Sequence, residues 1–339
     1  MKVAALVRRG AADKAFKIQE QERPTPKPHE LLIKVDAFGL NYADVMARLG
    51  KYEDAPALPA VLGYDVVGYV EAVGSDVTDF QVGQRVAGMT RFGGYAEYAV
   101  TDARGTAVIS DKMPIGVALA LTTQCITAYY AAYEMVRLHE GDHVLIQAAA
   151  GGVGTALVQI AKERGCTVYG TASTHKLDYL KEQGVDHPID YRTTDFAKVI
   201  KKIRGDAGLD VVFDSVGGSS VKKGYKLLGS GGRLVAYGAA KLSDTGYNIF
   251  KLLGVVLGFG IYSPISFLRP SKGMIGVNML RIADDRPEVL SRCLKEVVKL
   301  AESGILRPTI GGEFSADKIG EAHELLGSRK SIGKIIVKW

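Results

Sequence analysis

The spacing of apolar residues divides the chain in two. Up to about residue 120, short alternating runs at 30–38, 66–73 and 84–88 lie between glycine and proline turns, the pattern of half-buried strands. From Gly141 the texture changes. Strand-length apolar runs at 143–147, 167–171, 187–189, 211–214 and 233–237 alternate with helical periodicity at 152–164, 176–183, 194–203 and 220–228. That alternation predicts an α/β fold whose parallel sheet is covered on both faces, the doubly wound nucleotide-binding architecture. A later run, 274–280, is expected at the sheet edge, where it can pair with its copy in a second subunit. Beyond it, 287–303 reads as helix, and 308–314, 316–326 and 332–338 as strand, helix and strand returning to the first domain. The nucleotide domain, 124–281, is therefore expected as an insertion into a catalytic domain built from 1–123 and completed by 282–339.

One segment departs from this texture. Residues 250–268 are almost wholly apolar, yet they include Gly254, Gly258, Gly260 and Pro264, and their length approaches a membrane span. The interruptions favour a buried helix and loop lining a cleft or dimer interface. A lid over an apolar substrate, or contact with a membrane surface, is the alternative.

Composition narrows the class. A chain of 339 residues, 47% hydrophobic and 24% charged, suits a soluble globular protein of two domains. The net charge of +6 is spread out. Its densest cluster, Lys198, Lys201, Lys202 and Arg204 beside Asp195 and Asp206, has the spacing of a solvated helix face, so no nucleic-acid partner is expected. Cys125, Cys166 and Cys293 lie far apart and form neither a metal-ligand pair nor a disulfide framework. The first nine residues turn charged too early for a signal peptide, and a cytoplasmic location is expected.

The candidate chemistry begins at Ala148-Ala149-Ala150-Gly151-Gly152-Val153-Gly154, between an expected strand and helix. Small residues there let the backbone approach a pyrophosphate, toward which the helix N-terminus carries partial positive charge. In the G-x-G-x-x-G form the first glycine would fall at Ala149. The second strand of an NAD-selective site ends in Asp or Glu; here it ends Gly170-Thr171-Ala172-Ser173. Ser173, Lys176 and Tyr191 converging there would suit a 2′-phosphate, hence NADPH. Lys176 can also be read as a surface lysine, but a cation in a helix's first turn opposes the dipole and wants a reason. Arg192 is an additional candidate. Ser215, Val216, Tyr237 and Gly238 lie at later strand ends, where ligands of open α/β sheets bind.

With these residues in place, the chain resembles the zinc-independent quinone oxidoreductase branch of the medium-chain dehydrogenase/reductase superfamily over essentially its whole length. The nucleotide turn of that branch reads A-x-x-G-x-x-G, matched by Ala148, Gly151 and Gly154, and its NADPH-phosphate residues match Ser173, Lys176 and Tyr191. Gly39-Leu40-Asn41-Tyr42-Ala43-Asp44, Gly93-Gly94-Tyr95-Ala96-Glu97-Tyr98 and Thr127-Ala128-Tyr129-Tyr130 are further similar text. Residues 184–191 and 223–228, with the long apolar segment, resemble the synaptic-vesicle membrane protein homologues within that branch.

The resemblance implies a GroES-like β-barrel catalytic domain holding a nested Rossmann domain, a homodimer, and NADPH as cofactor. It implies cofactor contacts from Asn41, Thr127, Ala150, Gly151, Gly152, Val153, Gly154, Ser173, Lys176, Tyr191, Ser215, Val216, Tyr237 and Gly238. Zinc ligands of the superfamily's alcohol dehydrogenases correspond here to Asn41, Tyr64 and a position near Thr123, and an amide and a phenol do not replace thiolate and imidazole, so no metal is expected. Hydride addition to an already electrophilic quinone or enone does not need a Lewis acid. Asn41 is the leading donor to the developing oxygen charge, Tyr52 lines the substrate entrance, and Tyr64 is a third catalytic candidate. Lys334, in a segment similar to one near the family's cofactor, is expected as a solvated lysine on a terminal strand. The competing reading is an NADPH-binding protein that works through partner or membrane-surface interactions with little turnover.

Overall fold

The computed structural model describes residues 1–246 and 248–339. Contacts divide the chain into two units, Met1–Ile126 with Met279–Trp339, and Thr127–Asn278. Each border lies three residues from the one expected.

In the first unit the long strand Glu30–Leu40 organises a seven-stranded sheet. It pairs antiparallel with Asp65–Val73, with Tyr98–Asp102 and, near its end, with Lys334–Lys338. Register shifts between Leu32 and Ile33 and between Val35 and Ala37 mark bulges, which bend a strand and let it serve several partners. Alternate residues point inward: Leu31, Ile33 and Val35, then Phe38 and Leu40 after the shift, pack with Val66, Val86, Tyr95 and Val337 in one core. The C-terminal strand enters with Ile335 opposite Leu40 and Ile336 opposite Gly39. Residue 334 thereby arrives beside the start of the helix Tyr42–Arg48.

The second unit holds six parallel strands in the order His187–Asp190, Thr167–Ala172, His143–Ile146, Leu209–Asp214, Leu228–Ala236 and Gly273–Gly276. Strand order reverses direction beside His143–Ile146, the switch point at which α/β sheets bind ligands. The helix Gly152–Glu163 starts immediately after that strand's loop.

One expectation about the chain after residue 249 fails. The edge strand is only Gly273–Gly276, and Met279–Asp285 is helical, with Leu280 in the core of the first unit. A short apolar run does not by itself distinguish strand from helix. Residues 250–268 are not buried within the chain. They form the helices Ile249–Gly258 and Pro264–Leu268, neither with a buried residue, and Phe250, Ile261 and Leu268 are 82%, 92% and 76% exposed. A helix apolar on every side can turn only one side to a neighbour. Here that neighbour is the helix Ser219–Leu227, and Gly258 lies so close that a Cβ on it would stand 2.8 Å from the Ser219 nitrogen.

Candidate functional site

In the second unit the glycine turn is built by close backbone approach. Ala148 takes a positive φ of 52°, a conformation that costs a residue with a Cβ about 1–2 kcal/mol. The Gly151 amide donates to the Ala148 carbonyl at 2.9 Å, closing the turn. A Cβ on Gly154 would overlap that carbonyl oxygen and lie 2.8 Å from Ala149 Cα. Ala149 is buried and its amide donates to Thr171 at 2.9 Å, so the position needs smallness rather than glycine. Helix geometry leaves the first amides after Gly151, those of Gly152, Val153 and Gly154, without intrahelical acceptors, and the helix dipole favours an anion there. Ala150, just before them, is buried.

Next to this turn, Ser173 and Lys176 are buried while Tyr191 and Arg192 are exposed. Burial, and then the charge of Arg192, hold the Lys176 ammonium below the ordinary lysine pKa. The nearby acid does not offset this: Asp190 accepts from Thr174 Oγ1 at 2.6 Å and from the Arg192 amide at 2.9 Å, which closes the loop. Farther along the sheet, Asp214 accepts from the amides of Val216 and Gly217, both at 2.8 Å, and from Ser220 Oγ at 2.5 Å. This shapes the backbone of Ser215 and Val216. The Tyr237 amide donates to the Asp214 carbonyl at 2.9 Å, and a Cβ on Gly238 would sit 2.9 Å from the Ser215 oxygen. The two strand ends therefore meet closely. Thr127 is buried in the helix Ile126–Tyr129.

In the first unit, Asn41 precedes the helix Tyr42–Arg48 and is 6% exposed. Its Nδ2 donates to Asp65 Oδ2 at 2.6 Å, and its Oδ1 accepts from Lys334 Nζ at 3.1 Å. Lys334 also pairs with Asp65 Oδ2, and both side chains are 0% exposed. The expectation of a solvated Lys334 is thus wrong. The pairing of the terminal strand with Glu30–Leu40 carries the residue inward, and Gly39 leaves room for it. A Cβ there would overlap Lys334 Cε and lie 2.8 Å from Nζ. The other oxygen of Asp65 accepts from Thr122 Oγ1 at 2.8 Å and from Thr123 Oγ1. These adjacent threonines lie in a widened π-helical turn, Leu121–Cys125, a local feature often found at functional sites.

Asp44 lies beneath this cluster. It accepts the Asn41 amide at 2.8 Å and the Gly63 amide at 3.2 Å. Complete burial raises its pKa to about 7; the Asn41 amide pulls downward and the Asp65 charge pushes upward. Cys125, also nearby, is a buried thiol pushed up to about 12 by loss of solvent. Tyr64 is 3% exposed, its ring 5.1 Å from Phe92 and 6.5 Å, edge to face, from the half-buried Tyr52. The buried Tyr64 hydroxyl interacts with the Tyr52 hydroxyl.

The structure thus brings Asn41, Tyr52 and Tyr64 into the first unit's polar site, and the glycine turn, Ser173 and Lys176 into the second unit's. Sequence reasoning missed Asp65, Asp44, Thr122 and Lys334. Alternation along its strand points Lys334 away from the face of Ile335 and Val337, which join the core, so no local signal marked it for burial. No group of three or more His, Cys, Asp or Glu side chains able to hold a metal occurs among the described residues.

Comparison with known proteins agrees with this architecture. Residues 27–111 match the alcohol dehydrogenase GroES-like domain and residues 152–262 the zinc-binding dehydrogenase domain. The human synaptic vesicle membrane protein VAT-1 homolog is 36% identical over 95% of this chain and 83% of its own length. The Escherichia coli quinone oxidoreductase complexed with NADPH superposes with a TM-score of 0.87 at 25% identity, covering 100% of both chains. The CurK enoyl reductase gives 0.85 at 27% identity, with 99% of each chain covered. The chain belongs to the medium-chain dehydrogenase/reductase superfamily of oxidoreductases, close to the VAT-1 homologues and to quinone oxidoreductase structures.

Proposed function

We propose that this protein is a zinc-independent, NADPH-dependent reductase of quinones or α,β-unsaturated carbonyl compounds. The observation that carries the reading is the composition of the first unit's polar site. Tetrahedral zinc takes thiolate, imidazole or carboxylate donors. Asn41, Tyr64 and Thr123 offer an amide, a phenol and a hydroxyl, and the Lys334 ammonium on both Asn41 and Asp65 opposes a second cation. This donor set does not fit zinc. It fits the stabilisation of a developing enolate or hydroquinone oxygen by hydrogen bonds.

The second unit's residues fit NADPH. The buried Lys176 ammonium, next to Arg192, favours a dianionic 2′-phosphate, and the glycine turn admits a pyrophosphate. The solved NADPH complex of the Escherichia coli relative supports the same cofactor. When bound, NADPH supplies the hydride. Asn41 and Tyr64 donate to the acceptor oxygen, and Tyr52 presents a ring to a flat apolar acceptor. Oxidation of NADPH by a panel of quinones and enones tests the reading. Asn41→Ala lowers kcat about 100-fold or more, the loss typical of an oxyanion donor, while the Kd for NADPH stays nearly unchanged. Absence of turnover with every acceptor, or stoichiometric zinc in the purified protein, refutes it.

The exposed apolar helices Ile249–Gly258 and Pro264–Leu268 favour a further element of this reading: a homodimer that covers them. The same exposure supports the competing reading, in which the face meets a membrane surface. Sedimentation of the Leu253→Asp, Leu257→Asp double variant separates them. Conversion of dimer to monomer supports the first. An unchanged mass with lost binding to anionic vesicles supports the second.

A further inference from the structure

Lys334 is the most completely buried lysine or arginine in the described structure. Its surroundings are specific. Asp65 accepts four hydrogen bonds, from Asn41 Nδ2, Lys334, Thr122 and Thr123, which fills the capacity of a carboxylate. The Asn41 amide is consequently fixed in orientation. Its oxygen faces the ammonium and its nitrogen the carboxylate; a flipped amide would set like partial charges together at both ends. One N–H of Asn41 remains without a partner among the described residues. A cation on an amide oxygen draws electron density from the nitrogen, so that remaining N–H becomes a stronger donor.

We propose that Lys334 is a positioning residue that locks and polarises Asn41, so that a fixed ammonium does through an amide what a metal ion does directly. The inference rests on the reductase reading for the acceptor that Asn41 serves. Asp65 holds the ammonium, and Gly39 gives it space. The other titratable groups beside the cluster are Asp44, which carries a proton for part of the neutral range, and the neutral thiol of Cys125. Neither replaces the charge of Lys334.

The test compares the wild type, Lys334→Met, and the double variant Asp65→Asn with Lys334→Met. The double variant removes both charges and preserves folding if the single variant does not fold. Two measurements are made with NADP⁺ at saturation or NADPH turning over. In the first, 4-nitrophenol is titrated spectroscopically as a phenolate probe of the oxygen site. The wild type binds the phenolate preferentially and lowers the phenol's apparent pKa, and the double variant loses the shift and binds the phenolate about 10-fold more weakly. In the second, log kcat is plotted against the reduction potential of a quinone series. The slope steepens in the double variant, with about 10-fold loss for the strongest acceptors and about 100-fold for the weakest. A purely structural lysine would lower all rates equally. An unshifted probe in the wild type, or a shift and slope retained in the double variant, overturns the proposal. Should the wild type reduce no quinone or enone, the reductase reading falls, while the probe still decides the role of Lys334.

Discussion

Replacing Asp44 by asparagine removes a carboxyl whose ionisation the fold opposes. The pKa rises from an ordinary 3.8 to about 7, chiefly by burial. Between about pH 4 and 7 the unfolded chain has released this proton and the folded protein has kept it, so stability falls as pH rises. Below that window both states are protonated and there is no penalty. Above it the penalty is full and constant. About three pH units at 1.36 kcal/mol each give about 4 kcal/mol. At about 2–4 °C per kcal/mol for a unit of this size, the group lowers the melting temperature by roughly 10 °C across the window. Asp44→Asn abolishes that component. It keeps only one good acceptor for the Asn41 and Gly63 amides, a cost of about 1 kcal/mol that is independent of pH. Other carboxylates titrate too, so the quantity to measure is the difference in melting temperature between wild type and variant at each pH from 4 to 8. The variant is the less stable at pH 4 and the more stable at pH 8. Parallel curves would refute the raised pKa of Asp44.

Three further outcomes follow from the geometry. Lys176→Glu weakens NADPH binding about 100-fold and NADH binding less than 3-fold, as expected for a lost charge-assisted phosphate contact of about 1.5–3 kcal/mol plus repulsion; equal effects in fluorescence titrations would remove Lys176 from the phosphate site. Gly154→Ala places a Cβ on the Ala148 carbonyl, so binding of either dinucleotide drops at least 10-fold, and calorimetry showing unchanged affinity would contradict the tight turn. Gly39→Ala forces Lys334 from its channel and costs about 1–3 kcal/mol or more, visible as a lowered melting temperature, and a melt like that of the wild type would refute the close approach.

The nucleotide-binding half was legible because its signals are local. Strand, turn and helix around Ala148–Gly154 occur in sequence order, and Ser173 and Lys176 follow the next strand directly. The first unit's site was legible only in part. Asn41 and Tyr64 could be placed by resemblance, but the groups that orient Asn41 come from residues 65, 122, 123 and 334, joined by sheet pairing that no local pattern announces. The burial of Lys334 was misread because a lysine near a strand end is normally solvated, and only the register with Gly39 and Leu40 turns it inward. The apolar run after residue 249 was legible as a segment in need of cover, but not as to what covers it. Its composition signals burial, while a helix without a polar side gives no indication of what covers it.

The ion pair between Lys334 and Asp65 joins positions 269 residues apart. During synthesis at about 5–20 residues per second, Asp65 waits roughly 10–50 s for its counter-charge. The whole of Thr127–Asn278, a contiguous unit, emerges in that interval. The first unit, by contrast, holds a carboxylate it cannot bury unpaired until its last strand arrives. The polar cluster around Asn41 therefore cannot gain its full set of partners until Lys334 has been made, long after Asp65, Thr122 and Thr123.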